Sequence, residues 1–151
     1  MNQLIKNSFI SFFVFAVFAC SSPRQKNFSH IEEYFENTHN YKFNDTINKI
    51  VVIAEGSVCG SCENAFAKTT YQYLKNDKTI FLITTMGTII DINPFLQMDN
   101  NCFFDWQLNT SEFPEFESSR VIYLENSQID TIVILDSSIL SQQLEYIKNK
   151  H

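Results

Sequence analysis

The sequence predicts an α/β fold with a central mixed sheet flanked by helices, and three observations point to it. A strand, a helix and a second strand follow one another over roughly residues 49–85. A connection that long between strands implies a right-handed parallel crossover. Near the C-terminus two apolar segments flank the polar turn Glu125-Asn126-Ser127-Gln128, which reads as an antiparallel hairpin, and an amphipathic helix follows. The 151 residues, 44% hydrophobic and 15% aromatic, suit one domain with a sizeable core plus a short extension.

The extension comes first. Lys6 precedes the apolar run Phe9–Ala19, whose 11 residues fall well short of the roughly 20 that a bilayer-spanning helix needs and match the h-region of an export signal. Residues 1–19 are expected to be removed. Val17-Phe18-Ala19-Cys20 resembles the lipobox of bacterial lipoproteins, with a branched apolar residue three places before the Cys and a small one directly before it. That resemblance implies cleavage before Cys20, acylation of Cys20 with palmitate-type chains, and attachment to a membrane of the bacterial cell envelope. Ser21 after the Cys resembles the outer-membrane pattern of some bacteria. The alternatives are an ordinary signal peptide, or an uncleaved anchor with a chance Cys. Ser21 to Lys26 is polar and reads as a flexible tether. Loss of residues 1–19 removes Lys6 and no acid, taking the formal charge from −6 to −7. So acidic a chain repels nucleic acid and anionic head groups, and membrane attachment would come from the lipid.

Residues 20–46 read as tether and N-terminal extension, with a helical turn or two over Ile31–Phe35, and residues 47–151 read as the domain. Its first strand, about 49–55, contains Ile50-Val51-Val52-Ile53-Ala54, short, apolar and β-branched like a strand covered on both faces. Cys62, Phe66, Thr70 and Leu74 recur every four residues and define a helix over about 61–75. A strand over 79–85 follows. In 87–96 a short helix is expected to end near Asn93, with Pro94 as its breaker. Cys102 to Trp106 is compact and aromatic enough for an added strand, and 109–119 reads as loop. Val121–Leu124 and Ile129–Leu135 form the hairpin. Asp136 or Ser137 caps a final helix with Ile139, Leu140, Leu144 and Ile147 in one stripe and Lys148 and Lys150 near its end.

Cys59-Gly60-Ser61-Cys62 lies between the first strand and the long helix, so both thiols fall at a helix N-terminus. There the free backbone N–H groups and the dipole favour thiolate over thiol. Three readings compete. A structural disulfide closing so short a loop restrains the unfolded chain little, about 2 kcal/mol. A metal site needs two further ligands, and His30, His39 and His151 lie outside the motif's neighbourhood. Haem attachment requires His after the second Cys, where Glu63 stands. Redox exchange needs only the pair. Cys59, at the start of the helix, is then the nucleophile, and Cys62, one turn deeper, resolves the mixed disulfide.

Glu63 opposes a thiolate but suits the first helical turn, so its expected role is structural. No basic side chain lies within the tetrapeptide, and the expected potential is that of a reductant or isomerase, not a strong oxidant. Gly56 and Gly60 imply positive φ or close approach beside the dithiol. Cys102 is left over once Cys20 is acylated. It is either a buried free thiol among Phe103, Phe104 and Trp106 or a third redox partner. Phe113 and Phe116 are core residues, or they line a peptide groove. No phosphate loop or nucleophile elbow is present, and neither a cofactor nor a metal is implied.

The strand, the Cys59-Gly60-Ser61-Cys62 motif and the helix resemble the active-site region of the thioredoxin superfamily. With the C-terminal hairpin and helix, the resemblance covers roughly 48–150. It implies thiol-disulfide exchange with protein thiols or disulfides. Val58 stands where the family usually has Trp, and no proline stands near Ser119 or Arg120, where the family places a cis-proline that helps hold an extended substrate and keeps metals out. Pro114 is the nearest. The competing class is a non-catalytic thioredoxin-like lipoprotein that binds a partner and carries a structural disulfide. A metallochaperone like the superfamily's copper-delivery branch would want wider Cys spacing and a downstream His.

Overall fold

The computed structural model describes residues 23–56, 58–108 and 112–150. Along the chain run α1 (Pro23–His39), β1 (Lys49–Ile53), α2 (Gly60–Leu74), β2 (Thr79–Ile83), α3 (Asn93–Leu96), β3 (Cys102–Phe104), a 3-10 turn (Pro114–Phe116), β4 (Arg120–Glu125), β5 (Gln128–Ile134) and α4 (Leu140–Asn149). The five strands form one mixed sheet in the order β3-β2-β1-β4-β5. β1, β2 and β3 are parallel, whereas β4 runs antiparallel to β1 and to β5. The β1-α2-β2 crossover and the β4-β5 hairpin stand as expected. Asn126 and Ser127 make the hairpin turn with φ of 51° and 56°, the left-handed pair that matches strand twist in a two-residue loop.

β1 is buried at every position because it is the central strand and both its faces are covered. Its even-numbered residues, Ile50 and Val52, join Ile80, Leu82, Ile122 and Leu124 against Phe28, Ile31, Tyr34 and Phe35 of α1. The odd-numbered Val51 and Ile53 join Phe81, Ile83 and Val121 against Phe66 and Leu74 of α2, Phe95 of α3 and Ile147 of α4. The sheet therefore sits between helices, an arrangement consistent with a thioredoxin-like fold.

Three elements differ from expectation. Pro23 to Lys26, read as tether, begins α1, since proline's fixed φ and missing N–H suit a first helical turn. The 17-residue helix buries Phe28, Ile31, Tyr34 and Phe35 in the core, so the packed unit starts well before residue 47. Asn40, with φ 50°, ends the helix in the left-handed conformation that asparagine tolerates. Pro94 does not stop a helix but lies in the first turn of α3, for the same reason that Pro23 suits α1. At the last helix, Asp136 Oδ1 accepts from Ser138 N (2.8 Å) and Oγ (2.7 Å), which makes a turn ahead of α4, and the cap position itself is Ile139.

Candidate active site

Cys59 and Cys62 are joined by a disulfide with Cα atoms 5.2 Å apart. Cys59 is the N-cap of α2: its backbone is extended (φ −74°, ψ 140°), its carbonyl accepts from Cys62 N at 2.8 Å and Glu63 N at 3.0 Å, and its sulfur accepts from Cys62 N at 3.2 Å. Ser61 Oγ lies 3.4 Å from the same sulfur. A backbone N–H, a hydroxyl and the helix dipole therefore converge on Cys59 Sγ. All three favour negative charge there once the bond is reduced. Cys59 is exposed and Cys62 only 7% so.

Glu63 is buried, and its Oε1 accepts from Val58 N at 3.2 Å. It ties the loop before the dithiol to the first turn of α2, a structural role. Val58, where the thioredoxin resemblance would put Trp, is half-buried against the α2 side of the core. Gly56 and Gly60 divide the two expected functions of glycine. Gly56 has φ +89° with open space around it, and a Cβ on Gly60 would run into Ile89 Cγ2.

Glu55 and Asn64, which sequence reasoning did not single out, shape this site. Glu55 Oε1 accepts from Ile89 N (2.6 Å) and Ile90 N (2.9 Å), and its Oε2 accepts from the Thr88 hydroxyl (2.8 Å). Partial burial works to raise the Glu55 pKa, but hydrogen bonds from the Thr85 hydroxyl, Ile90 N, Ile89 N and the Thr88 hydroxyl outweigh it and hold the pKa down at about 2. From the other side Asn64 Nδ2 donates to Gly60 O (3.0 Å) and Ile89 O (2.6 Å), while its Oδ1 accepts from Asp91 N (2.9 Å). The segment after β2 is thus clamped over the first turn of α2, with the exposed Ile89 held against Gly60.

Ser119 and Arg120 lie where the thioredoxin resemblance would put a cis-proline. None of the described peptide bonds is cis. Ser119 is fully buried, and its hydroxyl accepts from Ala54 N (3.0 Å) and donates to Ala54 O (2.9 Å), which ties the entry of β4 to the exit of β1. Between these ends and the clamped segment lies a cleft of about 360 Å³ lined by Ala54, Glu55, Thr84, Thr85, Met86, Thr88, Leu108, Phe116 and Glu117. Phe116 belongs both to the core and to this cleft. Phe113 instead stacks on His30, with centroids 4.9 Å apart.

Cys102 is a free thiol and only half-buried, because β3 is a three-residue edge strand and Trp106 beyond it is exposed. Burial still pushes its pKa up to about 12. The strand order puts β2 between β3 and β1, a lateral separation of about 10 Å. Cys102 forms no disulfide here, and the dithiol pairs with itself. Cys20 lies outside the described residues.

A mixed α/β sheet with a Cys59–Cys62 disulfide at the start of a helix is compatible with a thioredoxin-like protein carrying its redox motif. No family model, curated protein or solved structure matches the chain.

Proposed function

We propose that this protein is an envelope-side lipoprotein, anchored through an acylated Cys20, that exchanges disulfides with protein substrates through Cys59 and Cys62. The observation that carries the reading is the asymmetry of the pair: one sulfur is exposed at a helix N-cap among hydrogen-bond donors, and the other is buried one turn deeper. In the reducing direction the Cys59 thiolate attacks a substrate disulfide, forming a mixed disulfide and releasing one substrate thiolate, which takes up a proton. Cys62, losing its proton, then attacks Cys59 Sγ. The Cys59–Cys62 bond re-forms and the second substrate thiolate leaves, so two electrons pass to the substrate. The cleft lined by Ala54 and Glu55, at the end of β1 that leads to the dithiol, offers room for a substrate chain.

Trapping tests this. Cys62→Ser retains the attacking sulfur and loses the resolving one, so mixed disulfides between Cys59 and substrate proteins should accumulate. Cys59→Ser should trap few. Equal trapping by both variants, or reductase activity that survives loss of Cys59, would favour a partner-binding lipoprotein with a structural disulfide. A reduction potential below about −300 mV for the couple would point the same way.

A further inference from the structure

At the end of β1 away from the dithiol, we propose a binding site for a small oxyanion, a carboxylate or a phosphate, centred on Lys49. A cavity of about 360 Å³ opens there, lined by Lys49, Tyr123, Lys150, Asn48, Leu124, Glu125 and Asp130. Lys49 and Tyr123 are cross-strand partners and share one face of the sheet. Lys49 is only 7% exposed, and its ammonium donates to Asn48 Oδ1 at 3.1 Å. Among the described residues no carboxylate pairs with it.

A buried ammonium without a counter-charge is costly, and the charged groups that act on this one make matters worse. They are Lys78 and Lys150, which add to the lowering of its pKa that burial begins. Lys78 is held alongside, its carbonyl accepting from Asn48 N (2.9 Å) and Lys49 N (3.3 Å). The two acids at the cavity do not resolve the imbalance. Asp130 Oδ2 is engaged by Lys150 Nζ (3.2 Å) and the Thr131 hydroxyl (2.9 Å), and Glu125 is exposed.

Donors outnumber acceptors as well. Tyr123 is 4% exposed, and its hydroxyl has no hydrogen-bond partner among the described residues, while Lys150 Nζ sits 4.7 Å from its ring centroid. An oxyanion supplies the missing negative charge and the missing lone pairs together. A cation would add a like charge, and an apolar ligand would leave the ammonium unpaired. In a chain of formal charge −6, two lysines lining one cavity with the charge of Lys78 acting on Lys49 run against the overall balance. The length of β1 separates this site from Cys59, so the inference stands independently of the redox reading.

Thermal unfolding of the protein in sodium phosphate and in sodium acetate, each against sodium chloride at matched ionic strength, tests it. Phosphate, acetate or both should raise Tm beyond chloride in a saturating manner, and the larger response identifies the ligand class. Lys49→Met should raise Tm in chloride, because a buried charge is gone, and should weaken the oxyanion response about tenfold or more. Lys150→Gln should weaken it too, and carries the comparison if Lys49→Met does not fold. Backbone amide resonances of Asn48, Lys49, Tyr123 and Leu124 should move with the oxyanion while those of Gly60 and Ser61 stay. Phosphate also stabilises proteins generally by exclusion from their surface, and that effect survives substitution. An oxyanion response equal to chloride, or undiminished in the variant, would overturn the site.

Discussion

Glu55→Gln removes the charge that clamps the segment after β2 over the dithiol. The carboxylate accepts two backbone N–H groups and a hydroxyl from Thr88, Ile89 and Ile90, and its pKa is held at about 2 against an ordinary 4.5. Taken at face value that difference corresponds to about 3 kcal/mol, at 1.36 kcal/mol per pH unit. Glu55 is partly exposed, and solvent screening reduces the figure to about 1–2 kcal/mol, a fall in Tm of roughly 2–8 °C for a chain of this size.

The pH dependence has a definite sign. Because the folded-state pKa lies below the unfolded one, the unfolded chain takes up the proton first as the pH falls. The stabilisation is therefore complete above about pH 4.5, declines as the pH drops toward 2, and is absent below it. Urea unfolding of the native and Glu55→Gln chains between pH 2 and 7 should show a gap that is constant near neutrality and closes in acid. Hydrogen exchange at the Ile89 and Ile90 amides should be faster in the variant at pH 7. A gap that persists unchanged at pH 2, or no gap at pH 7, would refute the assignment of the clamp to this carboxylate.

Gly60→Ala should cost about 1–3 kcal/mol, because its new methyl group meets Ile89 Cγ2 and the clamps from Glu55 and Asn64 stop that segment from retreating. Adding Ile89→Ala should restore most of the loss in denaturant unfolding, and a double variant no more stable than the single one would count against this packing. Cys102, its pKa pushed up to about 12 by burial, should resist iodoacetamide in the native oxidised protein at pH 8 and become one reactive thiol on denaturation. A mapped bond from Cys102 to Cys59 or Cys62 would replace the two-thiol scheme with a relay. Cys20→Ser should abolish metabolic labelling with palmitate, and undiminished label would remove the lipid anchor from the proposal.

The start of α2 and the strands on either side of it were legible within a residue or two because their signals are local: the β-branched run at Ile50–Ile53, the four-residue recurrence from Cys62 to Leu74, and two closely spaced thiols. The hairpin was legible for the same reason, from its polar turn. Of α1 only the turn or two over Ile31–Phe35 was, because Phe28, Ile31, Tyr34 and Phe35 are scattered through a polar segment and make a core face only where Ile50, Val52, Ile122 and Leu124 meet them. Pro94 was misplaced because proline stops a helix from within and starts one from its first turn, and the sequence at that point allows both.

The site divides along the same line. By itself the sequence determined the dithiol, its position between strand and helix, and the two Gly residues that its backbone requires. Only the tertiary structure decided what surrounds it. The carboxylate of Glu55 meets amides 34 and 35 positions away, and Ser119 meets Ala54 across 65. Cys102 lies on the edge strand β3, on the far side of β2 from the central β1. Helical period and turn chemistry act within a few residues and leave a trace in the order of side chains. Contacts between distant segments depend on which strand lies beside which, and the sheet settles that by burying whole faces together rather than by any one residue.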